Sequence, residues 1–313
     1  MKPYYLRIAL VLIAILVCAC SANQAATQPI QETPPTTKTP RLTASPLPSA
    51  TSSPSPIPSP SPSPTSSPSP QPSPERLACW DAGGRVEQGE LRTNSLPLPL
   101  SFRIYLPPCY EQLPGSRYPV LYLIHGQNFN DDQWDRLGID ETADQLIAAQ
   151  EIPPLLIVMP RDRSWSQPTE DRFGQVVFEE LLPWIDQNFR TLPQRQYRAI
   201  GGLSRGAGWA LHLGFSHWES FGTIGMHSLP VFWTDLPDIK SWLGAIPLES
   251  LPRIYLDLGD KDRPQITKSA IWFEELLNEK KIPHEWHLYP GYHEEAYWQA
   301  HIEEYLRWYT EKW

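Results

Sequence analysis

From residue 101 onward, apolar positions recur with two different periods, and the switches between them mark out the elements. Ser101-Phe102-Arg103-Ile104-Tyr105-Leu106 alternates apolar and polar positions and stops at Pro107-Pro108, which predicts an early antiparallel strand. Val120-Leu121-Tyr122-Leu123-Ile124 and Leu155-Leu156-Ile157-Val158-Met159 are short, unbroken apolar runs, as expected of central strands covered on both faces. Helical spacing predicts helices over 139–150 and 174–189, the second with Phe178, Leu181, Leu182, Ile185 and Phe189 on one face and a kink at Pro183. A strand stub over 198–201 leads to Ser204, and a helix is predicted from there to about Phe215. Strands over 221–226 and 254–258, a helix over 266–277 and a final strand over 284–289 continue the alternation. A closing helix places Trp298, Ile302, Tyr305, Leu306 and Tyr309 on one face. Such alternation predicts an α/β domain, a mostly parallel central sheet with helices on both faces. The connection from Met226 to Ile254 is too short for a large lid.

Upstream of residue 76 the pattern is of another kind. Lys2 and Arg7 precede an apolar run, residues 8–17, that is short for a bilayer span and reads as the core of an export signal. Its end, Val17-Cys18-Ala19-Cys20-Ser21, resembles a bacterial lipobox, so residues 1–20 are expected to be a lipoprotein-type signal with Cys20 lipidated and anchored in the membrane. Ordinary signal cleavage or an uncleaved anchor is the alternative. Residues 29–74 hold 16 of the 36 prolines, and no aromatic residue lies between Tyr5 and Trp80. A chain of that composition cannot bury enough apolar surface to order itself, so residues 21–75 are expected to be a disordered linker. The folded domain is then 76–313, exported and facing outside the cytoplasm.

Cysteine count and charge refine the picture. With Cys18 and Cys20 assigned to the signal, Cys79 and Cys109 are the two thiols of the domain, and an extracytoplasmic address favours a disulfide over two buried free thiols. Neither has a second thiol or histidine at ligand spacing, so no metal or other cofactor is expected. Residues 1–75 carry four of the 26 basic and two of the 35 acidic residues, leaving 22 against 33 in the domain. That balance, with no basic stripe, argues against a nucleic-acid partner.

Gly202-Leu203-Ser204-Arg205-Gly206 carries the candidate chemistry. A serine hydroxyl becomes a useful nucleophile only when it is held in the open beside a base. A sharp strand-to-helix turn holds it, and neighbouring backbone comes so close that glycine is needed on either side. The base should follow the last strand, where His293 lies in the turn Pro290-Gly291-Tyr292-His293; His287 within the strand and His301 on the helix read as packing or surface residues. Asp262, beyond the strand 254–258, is the favoured acid; Asp260 is its close rival and Asp257, inside the strand, the weaker candidate. The oxyanion donors are expected to be the backbone N–H groups of Arg205 and of Gln127 in His125-Gly126-Gln127-Asn128, with His125 itself structural. The Arg205 side chain is expected to pair with a surface carboxylate.

Over most of residues 99–311 these motifs resemble the esterase D family of α/β-hydrolases, which includes S-formylglutathione hydrolases, feruloyl and acetyl-xylan esterases, enterochelin esterases and mycolyltransferases. Tyr105-Leu106-Pro107-Pro108, Leu121-Tyr122-Leu123-Ile124-His125-Gly126 and Glu180-Leu181-Leu182-Pro183-Trp184 are similar to its strand end, oxyanion loop and pre-nucleophile helix. Gly259 with Asp262, and Gly291 with His293, are similar to its acid and base motifs. The resemblance implies an α/β-hydrolase fold, the triad Ser204, Asp262 and His293, and hydrolysis of a carboxylic ester through an acyl-enzyme; the absence of a large lid suggests an open cleft, compatible with an ester carried on a polymer. It differs at Arg205, where many members have methionine. Because the family includes acyltransferases, transfer to a sugar or lipid alcohol is the alternative; a reading of another class is a non-catalytic binding module.

Overall fold

The computed structural model describes residues 77–313; the expected signal, Cys20 and the Pro-rich linker lie outside the described residues. Eight strands form one sheet: β1 (Arg85–Leu91), β2 (Leu100–Leu106), β3 (Val120–Ile124), β4 (Leu156–Pro160), β5 (Arg198–Leu203), β6 (Thr223–His227), β7 (Arg253–Lys261) and β8 (Glu285–Tyr292). Their spatial order is β1-β2-β4-β3-β5-β6-β7-β8. β2 pairs antiparallel with both β1 and β4, and every pairing from β4 to β8 is parallel.

Period-two side-chain alternation splits the core between the two faces. Val120, Tyr122 and Ile124 of β3 point to one face. There they join residues of α3 (Phe173–Val176), α4 (Leu182–Asn188), α5 (Arg205–Ser216), α6 (Ile239–Ala245) and α7 (Pro264–Glu279). Leu121 and Leu123 point to the other face, under α1 (Gln133–Arg136), α2 (Ile139–Ala148) and α8 (Glu295–Thr310). All five expected residues of the closing helix are buried there.

Two local differences from expectation have clear causes. The helix predicted over 174–189 is interrupted by a π turn at Val177–Leu181, and α4 restarts with Pro183 in its first turn. Proline cannot donate to the preceding carbonyl, and the wider turn absorbs the missing bond without a break. The strand β1 has no apolar period, since only Leu91 is buried: it is an edge strand held by β2 alone. Cys79 and Cys109 are joined by a disulfide, with Cα atoms 5.0 Å apart, tying the start of the domain to the segment after β2.

The sheet order also creates the site. After β3 the chain moves outward to β4, then returns to lay β5 on the opposite side of β3. The loops leaving β3 and β5 therefore part in opposite directions, and a crevice opens between them at the strands' carboxyl ends. The β6–β7 connection carries the seven-residue α6 and no large lid.

Candidate active site

Ser204 stands alone between β5 and α5 with φ 51° and ψ −125°, a backbone conformation that costs a β-carbon-bearing residue about 1–3 kcal/mol. Its neighbours hold it there. The Ser204 N–H donates to the His227 carbonyl at the end of β6, 2.8 Å. A β-carbon on Gly206 would lie 2.0 Å from the Ile124 carbonyl oxygen, and one on Gly202 would lie 2.3 Å from the Gly206 backbone. Both positions of the elbow therefore require glycine for space.

His293 follows β8 directly; Pro290, Gly291 and Tyr292 belong to the strand, not to the turn expected from sequence. Its Nε2 is 2.8 Å from Ser204 Oγ and its Nδ1 2.8 Å from Asp262 Oδ1. The Trp298 indole packs edge-on against the imidazole, centroids 5.0 Å apart. Asp262 lies one residue past β7 with its side chain fully buried, and the same Oδ1 accepts the Arg263 N–H. The rival Asp260 is exposed and accepts the Gly291 N–H, 2.9 Å, bracing the strand that delivers His293. His287 stacks on Tyr255 and Tyr289, and His301 stacks on Tyr289 while its Nδ1 bonds the Tyr297 carbonyl within its own helix, so neither imidazole faces Ser204.

Gln127 and Arg205 both line a cleft of about 380 Å³ together with Phe129, Arg161, Arg163 and Trp165. Arg205 is the first residue of α5, whose opening N–H groups have no acceptor within the helix. His125 is structural: its Nε2 accepts the Asp162 N–H, 2.9 Å, so its Nδ1 carries the proton and donates to the Gly126 carbonyl, 2.8 Å. Burial holds this imidazole below its ordinary pKa, in keeping with a neutral ring. The loop is braced further by Gln133, which accepts the Gly126 N–H at 2.8 Å and donates to Glu295 at 3.0 Å.

Three features of the site escaped sequence reasoning. Arg205 does not meet a surface carboxylate; its Nε reaches the buried Asp162, 2.7 Å, which also accepts the Trp209 indole N–H, 2.8 Å. The guanidinium lies over the edge-to-face pair of Trp209 and Phe232, 5.6 Å and 5.2 Å from their ring centroids. Gln133 has no motif to signal it. Beneath the elbow, Asp257 and His227 form a second acid–imidazole pair, 2.6 Å apart and completely buried, with Tyr297 and Tyr305 donating to Asp257 and Tyr309 beside His227 Nε2. Of the connection's aromatics, Phe232 is buried, Trp242 half-buried and Trp233 exposed.

The sheet order, the strained serine and the two side chains aligned on it have the layout of an α/β-hydrolase. Residues 93–309 match the model of the Esterase family, described as "Putative esterase", and the chain belongs to that family. The matched domain is of the carboxylic-ester hydrolase class. Among curated relatives, an endo-1,4-beta-xylanase/feruloyl esterase of Xylanibacter ruminicola is 30% identical over 60% of this chain and 26% of its own length. An esterase of Mycobacterium tuberculosis is 30% identical over 61% of this chain and 51% of its own. The chain thus spans about half, or less, of the length of these relatives. The solved structure of a ferulic acid esterase superposes with a TM-score of 0.66 at 24% identity, covering 73% of this chain and 98% of that one. An S-formylglutathione hydrolase of Staphylococcus aureus gives 0.58 at 16%, covering 72% and 99%. At these identities the two structures share the fold.

Proposed function

We propose that this protein hydrolyses carboxylic esters through an acyl-enzyme on Ser204, with His293 as base and Asp262 as its orienting acid. The observation that carries this reading is the unbroken line of contacts Asp262 Oδ1–His293 Nδ1 and His293 Nε2–Ser204 Oγ, both 2.8 Å. His293 takes the serine proton as Oγ attacks the ester carbonyl, and the Gln127 and Arg205 N–H groups receive the developing oxyanion. The protonated imidazole then hands its proton to the departing alcohol, and water repeats the sequence on the acyl-enzyme to release the acid. The open, lid-free cleft suits an ester carried on a polymer, and the feruloyl esterase among the relatives supports a substrate of that kind.

Ser204→Ala should lower turnover of p-nitrophenyl acetate by roughly 10³-fold or more. Wild-type turnover in that variant would refute the assignment. If an added alcohol acceptor diverted most of the acyl group from water, transfer rather than hydrolysis would be the activity. The proposal includes export and anchoring at Cys20, supported by the Cys79–Cys109 disulfide, which suits an oxidising compartment. Mass spectrometry of the membrane-extracted protein should find a lipid-modified Cys20 at the mature N-terminus; an intact Met1 would overturn it.

A further inference from the structure

Arg161 and Arg163 flank Asp162 just after β4 and line the cleft that also holds Gln127 and Arg205. Asp162 is engaged elsewhere: it accepts from Arg205, Trp209 and the Ser164 N–H, and neither flanking arginine bonds it. Among the described residues the half-buried Arg161 side chain makes no hydrogen bond or ion pair, and Arg163 reaches only the Ser101 hydroxyl, 2.7 Å. Elsewhere in the domain Arg103, Arg136, Arg198, Arg253 and Arg307 each meet a carboxylate. In a domain with 33 acidic residues, a partly desolvated guanidinium left without an anion is costly, and it shares its cleft with Arg205, the residue that follows the nucleophile. Its charge acts on His125, the first residue of the loop that presents Gln127, where it adds to the effect of burial.

The surface around it extends the argument. Trp165 is 69% exposed at the rim of the same cleft, where an indole of that size is not covered by the protein itself. Arg161 and Arg163 also line an adjoining cleft of about 280 Å³ along Leu96 to Leu100, so the binding surface continues away from Ser204. The one acidic residue lining that second cleft, Asp171, is engaged by the Phe173 N–H, 2.6 Å.

We propose that Arg161 recognises a carboxylate carried by the ester substrate, with the Trp165 indole as a flat face for the ring or chain that bears it. A planar guanidinium fits a carboxylate with two parallel hydrogen bonds, and the ring face accepts an aliphatic or sugar surface. The inference deepens the ester hydrolysis proposed above and rests on it. The carboxylate can belong to the acyl half, as in a half-ester of a dicarboxylic acid, or to the alcohol half, as in a uronic acid.

Binding and turnover separate the two proposals. In Ser204→Ala protein, calorimetric titration compares an acetyl ester of glucuronic acid with the same ester of glucose, and the 4-nitrophenyl half-ester of glutaric acid with 4-nitrophenyl pentanoate. At least one acidic member should bind about 10-fold tighter than its neutral partner, the size of a charge-assisted hydrogen bond. The preference should disappear in Ser204→Ala/Arg161→Gln and return in part with Arg161→Lys, and the pair showing it identifies the half that carries the anion. Equal binding within both pairs, or a preference that survives Arg161→Gln in protein of unchanged Tm, overturns the inference. Failure of the Ser204 protein to hydrolyse any of these esters overturns the catalytic proposal instead, whatever the binding shows.

Discussion

Asp257→Asn tests whether the buried pair beneath the elbow holds the catalytic geometry. Asp257 Oδ1 is 2.6 Å from His227 Nδ1, while Oδ2 accepts the hydroxyls of Tyr297 at 2.6 Å and Tyr305 at 2.8 Å. Burial, and after it the charge of Asp257, pushes both tyrosines well above their ordinary pKa, so they remain donors. Asparagine keeps the size but has one acceptor oxygen. If that oxygen serves the tyrosines, the amide N–H₂ faces His227 Nδ1, and the ring must move its proton to Nε2, against the Tyr309 hydroxyl 3.0 Å away. One charge-assisted contact becomes neutral and the others weaken, a loss of about 2–3 kcal/mol. For a domain of about 240 residues, whose unfolding entropy is about 0.5 kcal/mol/K, that is a fall in Tm of about 4–6 °C. Catalysis should suffer as well. The His227 carbonyl holds the Ser204 N–H, and Tyr297 immediately precedes Trp298, which packs on His293. Slight misplacement of both partners should lower kcat on the order of tenfold and leave KM nearly unchanged. Scanning calorimetry and steady-state kinetics on p-nitrophenyl acetate read the two effects, with Tyr309→Phe, which removes one neutral bond, as the milder comparison. A Tm within about 1 °C of wild type and an unchanged kcat would refute the reasoning.

Removing the Cys79–Cys109 bridge, by Cys79→Ser/Cys109→Ser, opens a loop with a sequence separation of 30. The chain-entropy model puts its stabilisation at about 3.7 kcal/mol, so Tm should drop by about 7 °C with kcat preserved; a drop under about 2 °C would count against an entropic role. Asp140, in the first turn of α2, has its pKa pushed up to about 7 from 3.8, first by burial and then by the charges of Glu141 and Asp135. The folded state therefore holds a proton there that the unfolded chain has lost, and stability falls as pH rises from about 4 to about 7. Asp140→Asn should leave Tm unchanged near pH 4 and raise it at pH 8; equal effects at both pH values would contradict the assignment.

Much of this protein was legible from its own residues, because some signals depend only on neighbours in the chain. A strand covered on both faces must be apolar throughout, as Val120–Ile124 is, and a helix packed on a sheet must show one apolar stripe, as α8 does. The elbow glycines are legible for the same reason: a β-carbon at Gly206 would strike the backbone after β3 in any sheet of this kind. β1 was not legible, since an edge strand with one buried residue leaves no period to read.

What distinguishes the three aspartates lies in the tertiary structure. Asp257, Asp260 and Asp262 are spaced within six residues, and local pattern separates them only weakly. Packing gave each a different partner: His227, the Gly291 N–H and His293, respectively. Those partners lie about thirty residues away, brought close by the pairing of β7 with β6 and β8. The Arg205–Asp162 contact and the unpaired state of Arg161 were likewise decided across the β3–β5 crevice, 43 residues apart in the first case. Period and turn chemistry are properties of a segment, so the chain announces them locally. Which carboxylate meets which imidazole, and which arginine meets none, depends on where separate segments end when the sheet closes, and only the folded structure contains that.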